Sequence, residues 1–312
     1  MAVASHPRQV DLAALAGSAS RHRRERLVRA IFFSAAAFSV IVSVAIVASL
    51  IGRALTFIGN VDLAALWADG WFPRRDMYDI RTIVVGTLLI SGIAMLVATP
   101  LGLGAAMYLS EYARPRVRRW LKPILETLAG IPSVVIGFFA LTWISPELVR
   151  LFFPTASFFN MMAAGIGVGI LVTPLVASIS EDAMRSVPMS LREASYGLGA
   201  RKRSTSLRVV FPAAVSGIVA SLIVGVSRAI GETMVVAIAA GASGGSRLTF
   251  DPTQPGQTMT AAMTALAIGS DRVKGAEYTF ESLFFVGLLL FFITLVLNVI
   301  SERFVRRVRQ RY

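Results

Sequence analysis

The chain of 312 residues contains no cysteine. Disulfides, thiolate nucleophiles and cysteine-ligated metals are excluded. Histidine is nearly as scarce: His6 and His22 both lie near the N-terminus, so the apolar remainder offers no imidazole for acid–base or metal chemistry. Of the three lysines, Lys122, Lys202 and Lys274, none ends a G-x-x-x-x-G-K-[ST] loop. The chain therefore binds no ATP through a phosphate loop. No nucleophile–base pair and no spaced set of metal ligands stands out, which leaves catalysis the least supported class of function and gives no reason to expect a bound cofactor.

Charge is sparse too, at 16% of residues against 55% hydrophobic ones. Windows of about 20 apolar residues cross a bilayer as helices, and six are present: Ala30–Gly52, Ile83–Leu109, Pro123–Ser145, Met161–Ser180, Ala213–Ala240 and Leu283–Ile300. Backbone in hydrocarbon must satisfy its own hydrogen bonds, and the short alternating strands of a membrane barrel are missing. The expectation is an all-α polytopic membrane protein with six transmembrane helices. The first apolar run is longer than a signal-peptide core and ends in no small-x-small site, so it reads as a retained span.

The net charge of +13 is spread in a pattern that sets topology. Six Lys and Arg fall in residues 1–29, five between Arg114 and Lys122, six between Arg185 and Arg208, and five between Arg303 and Arg311. The loops on the other side hold eight, and Arg228 stands alone inside a span. Positive residues flank spans on the cytoplasmic side, which puts both termini and the loop around Glu193 there. Charge divided among four membrane flanks argues against nucleic-acid binding, which needs a continuous basic face.

Residues 1–29 read as a cytoplasmic tail, 30–80 as the first span and an outer loop with an amphipathic stretch at Asp62–Trp71, 81–303 as one compact core containing the cytoplasmic loop 181–212, and 304–312 as a basic tail. The outer loop from Gly241 to Thr279 is rich in Gly, Ser, Thr and Pro. Within it Met259–Ile268 is apolar but too short to cross, so it is a re-entrant or surface helix, or part of a solvated loop. Pro100, Pro132 and Pro174 interrupt spans as packing kinks or as hinges. Gly165, Gly167 and Gly169 share one span; no strand precedes them, and close helix packing explains them better than a dinucleotide loop.

Two constellations carry chemistry. The first is EASYGLGARKRSTSLRVVFP, Glu193 to Pro212. Ser190 and Glu193 have capping-box spacing for a short helix. Ala194, Ser195, Gly197, Gly199 and Ala200 make it narrow enough for close approach to another surface. Arg201, Lys202 and Arg203 supply a charged flank, and Pro212 marks re-entry into the membrane. The second is Ser227-Arg228-Ala229-Ile230-Gly231-Glu232-Thr233. Arg228 and Glu232 are four apart, on one helix face, and both are costly at membrane depth. The guanidinium fork suits an oxyanion, with Glu232 holding it when the anion is away. A purely structural ion pair is the alternative.

The Glu193 stretch resembles the cytoplasmic loop of ABC-importer permeases, Glu-Ala-Ala, three residues, Gly, nine residues, Ile-x-Leu-Pro. Ser195, Val209 and Phe211 are the departures. RAIGETMVVAIAAG from Arg228, ETLAGIPSVVIGFF from Glu126 and PLGLGAAMYLSEYA from Pro100 are similar to phosphate-importer permeases, the Gly-Glu-Thr-Met form to their C-type subunit. The first 80 residues resemble nothing specific. The resemblance implies a type I importer permease in a bacterial inner membrane and alternating access. It also implies a second homologous permease, an ATPase dimer using ATP and Mg, and an extracytoplasmic phosphate-binding protein. It gives Glu193, Ala194, Ser195, Gly199, Arg201 and Pro212 to ATPase coupling and Arg228 and Glu232 to the substrate path, with Ser227 and Thr233 beside them. Sulfate or molybdate import and a passive anion channel are the competing readings; the ATPase-type loop speaks against the channel.

Overall fold

The computed structural model describes residues 19–67, 70–241, 245–268 and 278–308. The expected tails at 1–18 and 309–312, and outer-loop residues 68–69, 242–244 and 269–277, lie outside them. The chain divides into two compact units, Met1–Leu50 and Ile51–Tyr312. Residues 19–50 of the first are a single helix, the larger part of α1 (Ala19–Asn60). Residues 19–29, expected as tail, are thus helical.

The second unit is built from helices because its apolar runs have no partner strands and must close their hydrogen bonds internally. After α1 comes a 3-10 turn at Leu63–Trp67, within the amphipathic stretch. A small hairpin follows, β1 (Trp71–Phe72) paired antiparallel with β2 (Met77–Tyr78). Then come α2 (Ile80–Met107), running on as a π-helical turn over Tyr108–Tyr112; α3 (Pro115–Leu128); α4 (Ser133–Phe139), continued through a π-helical stretch, Ala140–Val149, into α5 (Arg150–Phe152); and α6 (Met161–Arg185). The remainder is α7 (Met189–Gly197), α8 (Lys202–Thr205), α9 (Phe211–Ala213), α10 (Val215–Ile230), α11 (Met234–Ala239), α12 (Met259–Ile268) and α13 (Thr279–Val308). Among the described residues five helices are long and apolar enough to cross a membrane, and six if Lys202–Ala213 and Val215–Ile230, bent by 69°, form one span.

α2 and α6 form the centre, packed in parallel. A Cβ on Gly165 would come within 2.7 Å of the Ile93 Cβ, one on Gly169 within 2.7 Å of the Val97 Cβ, and one on Gly102 within 2.8 Å of a Val176 methyl. The glycine row on α6 is thus a packing seam, which lets the backbones approach closely enough for extensive dispersion contact. Ile90, Ala94, Ala98, Ile144, Val168, Val172, Val235 and Ala239 complete the core around it. A second cluster, Phe57, Trp71, Tyr78, Ile83, Met259 and Val286, joins the end of α1 to the hairpin, α12 and α13.

Three expectations need correction. The third span begins at Ser133 and runs to Phe152, not from Pro123 to Ser145. Pro123–Leu128 belongs instead to α3, whose Arg118 and Lys122 turn inward while Val117, Trp120, Ile124 and Leu128 are exposed on one side. The fifth span is not one helix over Ala213–Ala240, for α10 stops at Ile230 and α11 starts at Met234. The helix near Glu193 starts at Met189 with Pro188 as its cap and no side-chain cap bond, so Ser190 and Glu193 do not form a capping box. Pro188, with ψ 141°, supplies the extended backbone of the N-cap position expected for Ser190. Pro100 and Pro174 lie within continuous helices, whereas Pro132 stands at the break before α4.

The segments that follow α1 and α11 meet. Trp71 and Ser246 exchange backbone hydrogen bonds of 2.8 and 3.0 Å. The first turn of α12, Met259 to Ala262, is buried, and Met259 N–H donates to Thr87 Oγ1 of α2 at 3.0 Å. The first turn of the Met259–Ile268 helix is therefore inserted among helices, while Ala267 and Ile268 at its end are exposed.

Candidate functional site

The helix break after Ile230 gathers the ionisable pair. Gly231 N–H still reaches the Ser227 carbonyl (3.2 Å) and Glu232 N–H the Ala229 carbonyl (3.2 Å), after which the chain turns into α11. Glu232 therefore sits in the break and not on the helix face it was expected to share, yet its Oε2 lies 3.1 Å from Arg228 Nη1. Its Oε1 accepts from Val235 N–H at 3.4 Å. The Thr260 hydroxyl donates to the Glu232 backbone carbonyl at 2.7 Å and shares a hydrogen bond with Thr258 Oγ1 at 3.0 Å. The Glu232 side chain is 3% exposed and that of Arg228 49%. A buried carboxylate is tolerable only when paired and hydrogen-bonded, and both conditions are met. Arg228 keeps the rest of its fork on an open face, so it can offer parallel donors to an oxyanion without first breaking from its partner. Thr233 Oγ1 donates to the Gly231 carbonyl at 3.4 Å, and Ser227 Oγ donates to Asn298 Oδ1 of α13 at 3.1 Å.

The Glu193 segment forms a protruding helix–turn. Glu193 and Ala194 are exposed, and Ser195 Oγ shares a hydrogen bond with Thr205 Oγ1 at 2.9 Å. Ala200 N–H bonds the Ser195 carbonyl and Gly199 N–H the Tyr196 carbonyl, with Gly199 at φ +78°. This is a Schellman ending, which requires a left-handed residue where Gly199 stands. Leu198 beside it is 90% exposed. Arg201 caps α8, and Pro212 begins the bend into α10 through α9. The side chains grouped by sequence thus do converge, in two separate places: Ser227 to Thr233 at the break, Glu193 to Arg201 on the protrusion.

Sequence reasoning missed what anchors the protrusion. Arg192 turns inward, donating to Glu111 Oε1 at 3.0 Å and to the Met184 carbonyl at 2.9 Å. Glu181, fully buried at the end of α6, is held by Arg118 at 2.8 Å and by Lys122 at 2.8 Å. Lys122 also binds Asp182. Burial works against the Lys122 ammonium, but its hydrogen bonds and charge attraction to Asp182 and Glu181 outweigh burial and raise its pKa. Glu111, Arg118, Lys122, Arg185, Arg192 and Lys202 line a groove of about 940 Å³. The one sequence signal was an acidic pair, Glu181-Asp182, directly after an apolar span. Among the described residues no three His, Asp or Glu side chains are placed to hold a metal ion.

Fold and site together define a multi-pass helical membrane protein with a broken helix carrying an ion pair and an exposed helix–turn over residues 189–201. Residues 98–311 match the family described as the binding-protein-dependent transport system inner membrane component, and the chain belongs to that family. It is 30% identical over 311 residues to the phosphate transport system permease protein PstC of Mesorhizobium japonicum, covering 93% of each chain. It is 29% identical over 295 residues to PstC of Pasteurella multocida, covering 88% of this chain and 90% of that one. A chain of the bacterial alginate ABC transporter solved with its alginate-bound periplasmic protein superposes with a TM-score of 0.67 at 16% identity, covering 93% of this chain and 98% of that one. The methionine transporter MetNI gives 0.54 at 18% identity, covering 74% and 96%. At those identities the structural likeness shows the fold, that of the type I ABC-importer permeases.

Proposed function

We propose that this permease imports inorganic phosphate. The observation that carries the reading is the Arg228–Glu232 pair in the helix break, one partner buried and the other half open. The names of the PstC relatives support the choice of substrate. Hydrogen phosphate brings both negative charge and a hydroxyl donor. Arg228 attracts the charge; Glu232 accepts the hydroxyl's hydrogen bond, which fully ionised sulfate cannot offer. Because Glu232 competes for the guanidinium, the anion is attracted without being trapped.

The chain forms half of the translocation path, a second homologous permease the other half. An ATPase dimer, holding ATP and Mg itself, docks on the protrusion through Glu193, Ala194, Ser195, Gly199 and Arg201, and Pro212 transmits its motion into α10. An extracytoplasmic phosphate-binding protein delivers the anion to the outer loops, and both termini face the cytoplasm of a bacterial inner membrane. Pro132 acts as a hinge at the break before α4, with Pro100 and Pro174 flexing inside their helices.

The test is reconstitution of the full complex in vesicles. Phosphate-loaded binding protein stimulates ATP hydrolysis and drives phosphate accumulation, and sulfate and molybdate do neither. Stimulation by sulfate or molybdate instead of phosphate identifies a different oxyanion importer. Phosphate flux that needs no ATP identifies a channel. Either outcome overturns the reading.

A further inference from the structure

α13 is almost wholly apolar from Leu283 to Ile300, with Thr294 and Asn298 as its two hydrogen-bonding side chains there. Thr294 is satisfied within its own helix, donating to the Leu290 carbonyl at 2.9 Å. Asn298 is different. Its carbonyl oxygen accepts from Ser227, the residue before Arg228. Asn298 is itself exposed, and its amide N–H2 donates to nothing among the described residues. An unpaired amide in hydrocarbon costs several kcal/mol, so lipid is the wrong neighbour for this face. Ser227, which Asn298 holds, directly precedes Arg228 in the chain, and the Arg228 side chain is half exposed.

We infer that Asn298 is a specificity-determining residue on the anion path, a neutral two-proton donor that binds a tetrahedral oxyanion next to the Arg228 guanidinium. The inference rests on the phosphate-path reading of Arg228. Its physical logic is that a second cation there would hold a divalent anion too tightly for turnover. An amide adds hydrogen bonds without adding charge, and Ser227 fixes its orientation by occupying its acceptor.

The experiment compares Asn298→Asp, Asn298→Leu and Arg228→Gln in the complete complex, reading subunit co-purification and the KM and maximal rate of radiolabelled phosphate uptake. Asn298→Asp keeps the acceptor for Ser227 but replaces the donors by a carboxylate beside the path. A tether role tolerates it, and a path role does not. The expected result is an assembled Asn298→Asp complex with uptake reduced about tenfold or more, and an assembled Asn298→Leu complex with raised KM. Near-normal uptake by either assembled Asn298 variant overturns the inference, as does loss of assembly in both, which would make Asn298 part of a permease–permease seam. If Asn298→Asp alone fails to assemble, the KM of Asn298→Leu decides. Normal uptake by Arg228→Gln sinks the underlying phosphate-path reading whatever the Asn298 variants do, so the two failures are distinguishable.

Discussion

Thr260 holds the backbone of Glu232: its hydroxyl donates to the Glu232 carbonyl at 2.7 Å across 28 positions of sequence. The break after Ile230 thus owes its shape to an inserted helix from the outer loop as well as to its own residues. Thr260→Val removes the donor and leaves the carbonyl buried without this partner, a cost of about 1–3 kcal/mol. Uptake falls several-fold in Thr260→Val and stays near wild type in Thr260→Ser, measured on complexes of equal subunit composition. Equal activity in both variants would show that the hydroxyl has no part in placing Glu232.

Glu181 fastens α3 to the end of α6. Removing it by Glu181→Ala leaves Arg118 and Lys122 without their buried partner, and breaking such a contact costs about 3 kcal/mol. The expected result is earlier thermal unfolding in detergent and faster protease cleavage between Leu128 and Ser133. The Lys122 pKa lies above its ordinary value of 10.5 in the folded chain. A raised lysine contributes stability fully below the unfolded pKa and loses it as pH rises through the folded one. The α3 contact therefore holds unchanged from pH 6 to 9 and loosens only in strong alkali. A loosening of α3 near neutrality would contradict this.

Gly199 and Gly197 give a matched pair on the protrusion. A Cβ at either meets nothing within 4 Å, but only Gly199 has a positive φ, +78°. Gly197→Ala is expected to be neutral or slightly stabilising, whereas Gly199→Ala costs about 1 kcal/mol for the left-handed backbone. Gly199→Arg adds a long charged chain to the surface proposed to meet the ATPase, and is expected to uncouple ATP hydrolysis from uptake. Coupled transport by Gly199→Arg at the wild-type ratio of phosphate to ATP would show that this surface is not approached closely.

The absence of cysteine makes topology directly measurable. Leu63, Phe250 and Leu198 are exposed. Cysteines placed at Leu63 and Phe250 should react with a membrane-impermeant thiol reagent from the periplasmic side, and one at Leu198 only from the cytoplasmic side. The reverse pattern inverts the whole orientation.

Most of the helical framework was legible because hydrocarbon imposes one rule on every span, a long apolar run. The rule fails where apolar residues serve something other than crossing. Pro123 to Leu128 is apolar enough to extend a span, yet Arg118 and Lys122, periodic with it, are drawn to Glu181, and that partner lies about sixty positions away. The pairing of Arg228 with Glu232 was visible in their spacing. The helix end between them was not, since Thr260 acts from another segment. Nothing in the sequence singles out Asn298 within its apolar span, and only the fold brings it to Ser227. At Glu193 the spacing of small residues located the protruding helix, while its inward anchor, Arg192 on Glu111, had been explained as topology charge alone.

An Arg228 that meets the transported anion and an Arg228 that is only a strut for Glu232 lead to different outcomes. The most direct measurement is phosphate uptake by the purified, fully assembled Arg228→Gln complex, alongside the charge-swapped pair Arg228→Glu with Glu232→Arg. With Arg228 on the anion path, Arg228→Gln assembles normally with uptake abolished, and the swapped pair does not recover uptake, because a fork on the buried side no longer faces the path. Near-normal uptake by a well-assembled Arg228→Gln complex, or lost assembly that the swapped pair restores together with transport, would contradict that placement.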